Sequence, residues 1–193
     1  MTKYHLHYGF IFVSWYNARV TIMNKTKKTR RDIVQEICIN GIIAATYAVL
    51  TIAISPIAYG PIQFRLSEVM VLLCFFNKKY TIGLTLGCFL ANCLSPTASL
   101  DIWFGTGATL LACLCMIFCR HLALAAIFPV ISNAFIIGWE LTYFSEPFWM
   151  SVLTVGIGEL GVMIVAYVAF MLLKKNQSFF KAIKADQNLE FKF

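Results

Sequence analysis

"ICINGIIAATYAVLTIAI", residues 37–54, decides the fold. The run carries no charge. At the usual helical rise it reaches about 27 Å, close to the hydrocarbon thickness of a bilayer. Its surroundings agree. The chain has 193 residues, of which 60% are hydrophobic and 13% charged, about half the charged share of an ordinary soluble domain. A soluble core of this size cannot hide so much apolar surface. The fold class is therefore all-α and integral to a membrane.

Further apolar runs follow on the C-terminal side. Leu66–Phe76 is short and closes at "NKK". Tyr80–Leu94 ends at "SPTASLD", and Ile102–Cys119 ends at Arg120 and His121. Leu122–Phe144 and Phe148–Leu173 are parted by "SEP" before Lys174 and Lys175 open a polar tail. This pattern predicts a six-helix transmembrane bundle over residues 32–175, its second and third helices shorter or tilted, and a cytoplasmic tail over 176–193. Upstream, residues 1–31 read as a basic cytoplasmic leader. Its "YGFIFVSW" is too short to span and has no small-residue cleavage site after it. Met23 followed by "NKTKKTRR" resembles an ordinary cytoplasmic start, so residues 1–22 read as an upstream extension of the reading frame.

The formal charge of +7 invites a nucleic-acid reading. The basic residues, however, sit in short clusters beside apolar runs, where topology and lipid headgroups account for them. With a cytoplasmic N terminus, the leader cluster, Lys78, Lys79, Arg120 and the tail lysines all fall inside. Arg65, in "PIQFRLSEVM" (residues 61–70), is the one basic residue left outside. Both termini are thus expected in the cytoplasm, and Arg65 is a candidate for function rather than topology.

No HExxH, GxSxG or phosphate-binding P-loop is present, so the chain carries no recognisable ATPase or hydrolase of its own. The cysteines lie mostly within apolar runs, where Cys packs as a small hydrophobe. Cys113, Cys115 and Cys119 lack the His or carboxylate that would complete a metal set. No cofactor or metal is expected.

Polar residues inside the spans are costly and generally line cavities. Glu68 starts the second helix, Asn92 ends the third and Asp101 starts the fourth, all at the outer side. Asn133 and Glu140 lie nearly two turns apart on one face of the fifth helix. Glu159 lies about 16 Å into the sixth. These positions predict one outward-facing site. Arg65 and Glu68 also admit a simple helix-start ion pair, and Asp101 admits a helix N-cap. Trp103 and Trp139 are candidate stacking plates, with an interfacial aromatic belt as the alternative. Small residues recur at Gly83/Gly87/Ala91, Gly41/Ala45 and Ala44/Ala48, as internal packing or as a docking face for a partner.

Five blocks in order, "SPIAYGPIQFRLSEVM", "GCFLANCLS", "LDIWFGTGATLLA", "ISNAFIIGWEL" and "FWMSVLTVGIGELGVM", resemble the QueT family. These are substrate-binding S components of energy-coupling factor (ECF) importers. The likeness runs from about Asn24 to Lys175. It implies six helices, a lid between the first two with its C-terminal hinge at Gly60–Glu68, and uptake of queuosine precursors such as queuine and related 7-deazaguanine bases. It implies a membrane scaffold subunit and two cytoplasmic ATPases as partners, with Ala44 and Ala48 matching the Ala-x-x-x-Ala face that S components turn to the scaffold. The substrate-binding candidates are Glu159, Glu140, Asn133, Asn92, Arg65, Glu68, Asp101, Trp103 and Trp139. An S component for another small nutrient, such as a vitamin, is the alternative. An intramembrane enzyme would need an activated nucleophile or metal set within the spans, and no His lies within the apolar runs that hold Ser132, Ser151 and the cysteines. A purely structural protein would leave Glu140 and Glu159 without a role.

Overall fold

The computed structural model describes residues 29–58 and 64–183. Among them all regular structure is helical. Helix α1 spans Arg30–Ala53 and is followed by a single turn at Ser55–Ala58. A 3-10 segment, Leu66–Leu72, runs into α2, Leu73–Phe76. Then come α3, Tyr80–Asn92; α4, Ala98–Ile117; α5, Leu122–Thr142; α6, Phe148–Leu173; and α7, Gln177–Ala182. Four of these, α1, α4, α5 and α6, are long and apolar enough to cross a membrane, whereas Leu66–Phe76 and Tyr80–Asn92 are apolar but shorter. Length and composition thus establish four spans among the described residues, and the second and third of the expected six are short, as the apolar runs predict. Most of the leader and the expected hinge residues Gly60–Gln63 lie outside the described residues.

The chain divides into two units within α1, at Cys38/Ile39. In the first, the Thr29 amide donates to the Asp32 carboxylate at 3.1 Å, which satisfies one of the open amides at the helix start. In the second, α5 and α6 share the most extensive helix contact, followed by α4 with α5. Short loops at 118–121 and 143–147 make these neighbours antiparallel. The apolar core gathers Tyr47, Leu72, Phe76, Leu84, Met116 and Met163 from α1 to α6.

Glycine sets the distance between α1 and α3. A Cβ added at Gly87 would stand 2.8 Å from the carbonyl oxygen of Ala44 and 2.8 Å from the Tyr47 Cβ. One turn away, the Gly83 amide donates to the Asn40 side-chain oxygen at 2.8 Å. This close approach involves the α1 face of Ala44 and Ala48, the pair expected to meet the scaffold. Both are buried, at 2% and 7% exposure, and Ala44 faces Gly87 of the same chain. The small pair left facing outward on α1 is Gly41/Ala45, and a Cβ at Gly41 would meet nothing within 4 Å.

The segment after Lys175 is more than a polar tail. Asn176 caps α7 by accepting from the Phe179 amide at 3.1 Å. Phe180 packs edge-on against Phe76, with ring centroids 5.2 Å apart, and Phe179 lies 6.1 Å from Phe170. The Tyr80 hydroxyl then donates to the carbonyl of Ile183 at 2.6 Å. The chain beyond α6 is therefore tied to the start of α3.

Candidate functional site

In a 3-10 helix, side chains three residues apart eclipse one another. Drawing Leu66–Leu72 as 3-10 aligns its N-cap, Arg65, with Glu68. Both point inward and are buried. Arg65 thus sits inside the protein rather than in an exposed outer loop, which accounts for its exception to the charge pattern. Its guanidinium donates to the Asn92 side-chain oxygen at 3.4 Å, and it lies close enough to Glu68 and Asp101 for their charges to interact.

Glu68 is held from two helices. The Tyr47 hydroxyl of α1 donates to Oε1 at 2.5 Å, and the Thr109 hydroxyl of α4 donates to the same oxygen at 3.4 Å. The other carboxylate oxygen is buried and makes no hydrogen bond. Next to this pair, Thr51 and Ser67 share a hydrogen bond of 2.6 Å. Sequence reading missed Tyr47, Thr51 and Thr109. Each carries a hydroxyl in an apolar run, where such residues are common, and only their inward rotation marks them.

Asn92 links α3 to α4. Its amide nitrogen donates to the backbone carbonyl of Asp101 at 2.9 Å and to the Thr106 hydroxyl at 3.3 Å. Gly105 makes room for it, since a Cβ there would lie 2.7 Å from that nitrogen. Asp101 is not the N-cap of α4. That position belongs to Thr97, and the Asp101 carboxylate reaches back from the first turn to accept from the hydroxyls of Ser95 and Thr97. The aspartate fixes the α3–α4 loop.

Glu140 and Asn133 both face inward from α5, as their seven-residue spacing predicts. Glu140 lies beside Asp101, and both its carboxylate oxygens are buried without a hydrogen bond. Glu159 of α6 lies beside the Asn133 amide and within electrostatic reach of Glu68 and Arg65, and its Oε1 is likewise buried without a hydrogen bond. The structure thus brings Arg65, Glu68, Asn92, Asp101, Asn133, Glu140 and Glu159 into one buried polar cluster.

Trp103 and Trp139 do not join this cluster. They are 76% and 60% exposed, and Tyr143 and Trp149 are exposed as well. They face outward, where an amphipathic ring suits the lipid interface.

This arrangement suits capture of a small polar molecule that offers several donors. Buried carboxylates gain from hydrogen-bonded partners and cost several kcal/mol without them. Comparison with known proteins agrees with a transport role. The family model described as "QueT transporter" matches residues 37–175. The chain is 53% identical over 58 residues, 29% of its length, to the "Queuosine precursor transporter QueT" of Lactococcus lactis subsp. cremoris (strain MG1363). That alignment spans 34% of the relative, about a third of its length. No solved structure matches. With four helices long and apolar enough to make it a multi-pass membrane protein, and with a family match over most of its length, the chain belongs to the QueT transporter family.

Proposed function

We propose that this protein is the substrate-binding subunit of an ECF-type importer that takes up queuosine precursors, queuine and related 7-deazaguanine bases, across a bacterial cell membrane. The short segments Leu66–Phe76 and Tyr80–Asn92 would complete six crossings with both termini cytoplasmic. A membrane scaffold and two ATPases would supply the energy. The outward small pair Gly41/Ala45 on α1 is the surface that best suits the scaffold, since Ala44 packs against Gly87 of α3 and Ala48 is buried.

One observation carries the reading. Glu140 and Glu159 bury carboxylate oxygens that have no hydrogen-bond partner among the described residues. A 7-deazaguanine presents a ring N–H and an exocyclic amine side by side, and one carboxylate accepts both, as acids do when reading donors on a base edge. Such charge-assisted pairs are stronger than neutral ones. An amine on the seven-position arm is cationic and suits the second acid. The ring carbonyl needs a donor. Asn92, whose amide nitrogen also donates to the Asp101 carbonyl, or Asn133, whose amide lies beside Glu159, would supply it.

The test is the affinity of the purified protein and its Glu140→Gln and Glu159→Gln variants for guanine-like ligands with charged and neutral arms. Loss of the base-edge acid should cost on the order of 2–4 kcal/mol for every ligand. Loss of the amine partner should weaken cationic ligands and spare the neutral nitrile form. If neither substitution weakens any ligand tenfold, the site lies elsewhere.

A further inference from the structure

The four acids of the buried cluster do not stand in equivalent surroundings. Asp101 is the fourth residue of α4, and Glu140 lies two residues before the end of α5. Both therefore sit toward the 93–97 and 143–147 loops. Glu159 is the twelfth residue of α6 and Asn133 the twelfth of α5. Asn133 is about 10 Å deeper along α5 than Glu140 at the helical rise. The cluster thus has a loop-end pair of two acids and a mid-helix pair of an acid and an amide.

At the loop end, Glu140 lies against Asp101. The two residues are 1% and 4% exposed. Neither carboxylate oxygen of Glu140 has a hydrogen-bond partner among the described residues, whereas the Asp101 carboxylate is held by the hydroxyls of Ser95 and Thr97. Two adjacent buried carboxylates repel unless a cation or a proton stands between them. Arg65 lies within electrostatic reach of both pairs, so it does not distinguish them.

The mid-helix pair has a different character. Glu159 lies beside the Asn133 side chain, and its Oε1 is buried without a hydrogen-bond partner among the described residues. A carboxylate accepts from two donors, and an amide nitrogen carries two protons, one for the acid and one to spare. That is the complement of an edge that offers two donors and one acceptor.

We infer that Asp101 and Glu140 together receive the ammonium of the seven-position arm, while Glu159 with Asn133 reads the base edge. This assignment rests on the uptake of 7-deazaguanine bases proposed above, and it orders the two glutamates. Asp101 becomes a specificity-determining residue, because it sets the preference for a charged arm. The base enters edge first, with its arm toward the 93–97 and 143–147 loops. An ammonium between two buried carboxylates makes charge-assisted hydrogen bonds to both, which a nitrile cannot make.

The experiment measures the affinity of the purified full chain for 7-aminomethyl-7-deazaguanine and for 7-cyano-7-deazaguanine, and reads the ratio of the two. A variant that folds incompletely loses active protein for both ligands alike, so the ratio reports the site. Asp101→Asn keeps a side-chain oxygen for Ser95 and Thr97. It and Glu140→Gln should each lower the preference for the aminomethyl base roughly tenfold or more. Glu159→Gln should weaken both bases and leave the ratio within about twofold, since the arm lies away from it. Removing the exocyclic amine from the ligand should cost the wild type and Asp101→Asn more affinity than it costs Glu159→Gln. A ratio that falls in Glu159→Gln and holds in Asp101→Asn and Glu140→Gln would overturn the assignment while the uptake reading stands. So would a fall in Glu140→Gln alone, because Asp101 would then act only on its loop. A wild-type protein that binds neither base overturns the uptake reading itself, and the assignment with it.

Discussion

Tyr47 shows what a single hydroxyl does in this interior. It is fully buried on α1, and its proton goes to Glu68 at 2.5 Å. Without it, Oε1 of Glu68 keeps only the longer Thr109 contact of 3.4 Å, while its partner oxygen already lacks a hydrogen bond. Tyr47→Phe should therefore destabilise the protein by about 1–3 kcal/mol, the usual cost of a stranded buried acceptor. Thr109→Val should cost less. Thermal unfolding of the two variants in detergent checks the order, and a larger loss from Thr109→Val would show that the longer contact holds the acid. At this scale the burial of the acids and amides was legible in the sequence, because a charged or amide group within an apolar run is rare and has few places to go. The sequence did not identify the hydroxyl partners, which lipid-spanning helices tolerate freely. Nor did it tell inward from outward aromatics. Trp103 and Asp101 are two residues apart on α4, yet one is exposed and the other buried, a difference of rotation that composition does not carry.

Among the elements, the contact of α1 with α3 sets the tightest tolerance. The Cβ of Gly87→Ala would press on the backbone carbonyl of Ala44, which a helix cannot move aside, and on the Tyr47 Cβ. Overpacking of this kind costs about 1–3 kcal/mol, and it would also push Tyr47 away from Glu68. Gly41→Ala on the outward face of α1 meets nothing within 4 Å, and the gain in helix propensity should stabilise the isolated subunit by up to about 1 kcal/mol. Melting temperatures of the two variants should move in opposite directions. If both fall, the outward face of α1 is also packed. The small-residue spacing made close helix packing legible, but two overlapping stripes, Gly41/Ala45 and Ala44/Ala48, lie only about 60° apart around one helix. Choosing the buried one required knowledge of where α3 lies. The short second element was legible as apolar, but its 3-10 winding was not. Runs of that geometry longer than three or four residues are uncommon, and nothing in "LSEVMVL" announces one.

At the scale of the whole molecule, alternation of the helices and placement of charge make a joint claim about topology. The loops at 93–97 and 143–147 lie at one end of the antiparallel helices α3 to α6. The turn at 77–79, the loop at 118–121 and the tail lysines lie at the other. Lys78, Lys79, Arg120, Lys174 and Lys175 all fall at that second end, whereas the 93–97 and 143–147 loops contain no Lys or Arg. Arg65, which seemed to break the pattern, is buried and so is not a loop charge. The α7 helix extends the basic end, since Phe180 and the Tyr80 hydroxyl hold the tail against the start of α3. Positive charge is retained on the cytoplasmic side during insertion, so the end that carries Lys79 and Arg120 should face the cytoplasm. Single cysteines test this in whole cells treated with a membrane-impermeant thiol reagent, once the exposed Cys38 and Cys93 have been replaced by Ser. Ser99→Cys and Glu146→Cys, both at exposed positions, should label in intact cells. Lys79→Cys and Arg120→Cys should label only after the cells are opened. Labelling of position 79 or 120 from outside would reverse the orientation. Labelling of 99 and 146 on opposite sides would break the antiparallel order of α4 to α6, because a pair of crossings between them must return the chain to the side it left.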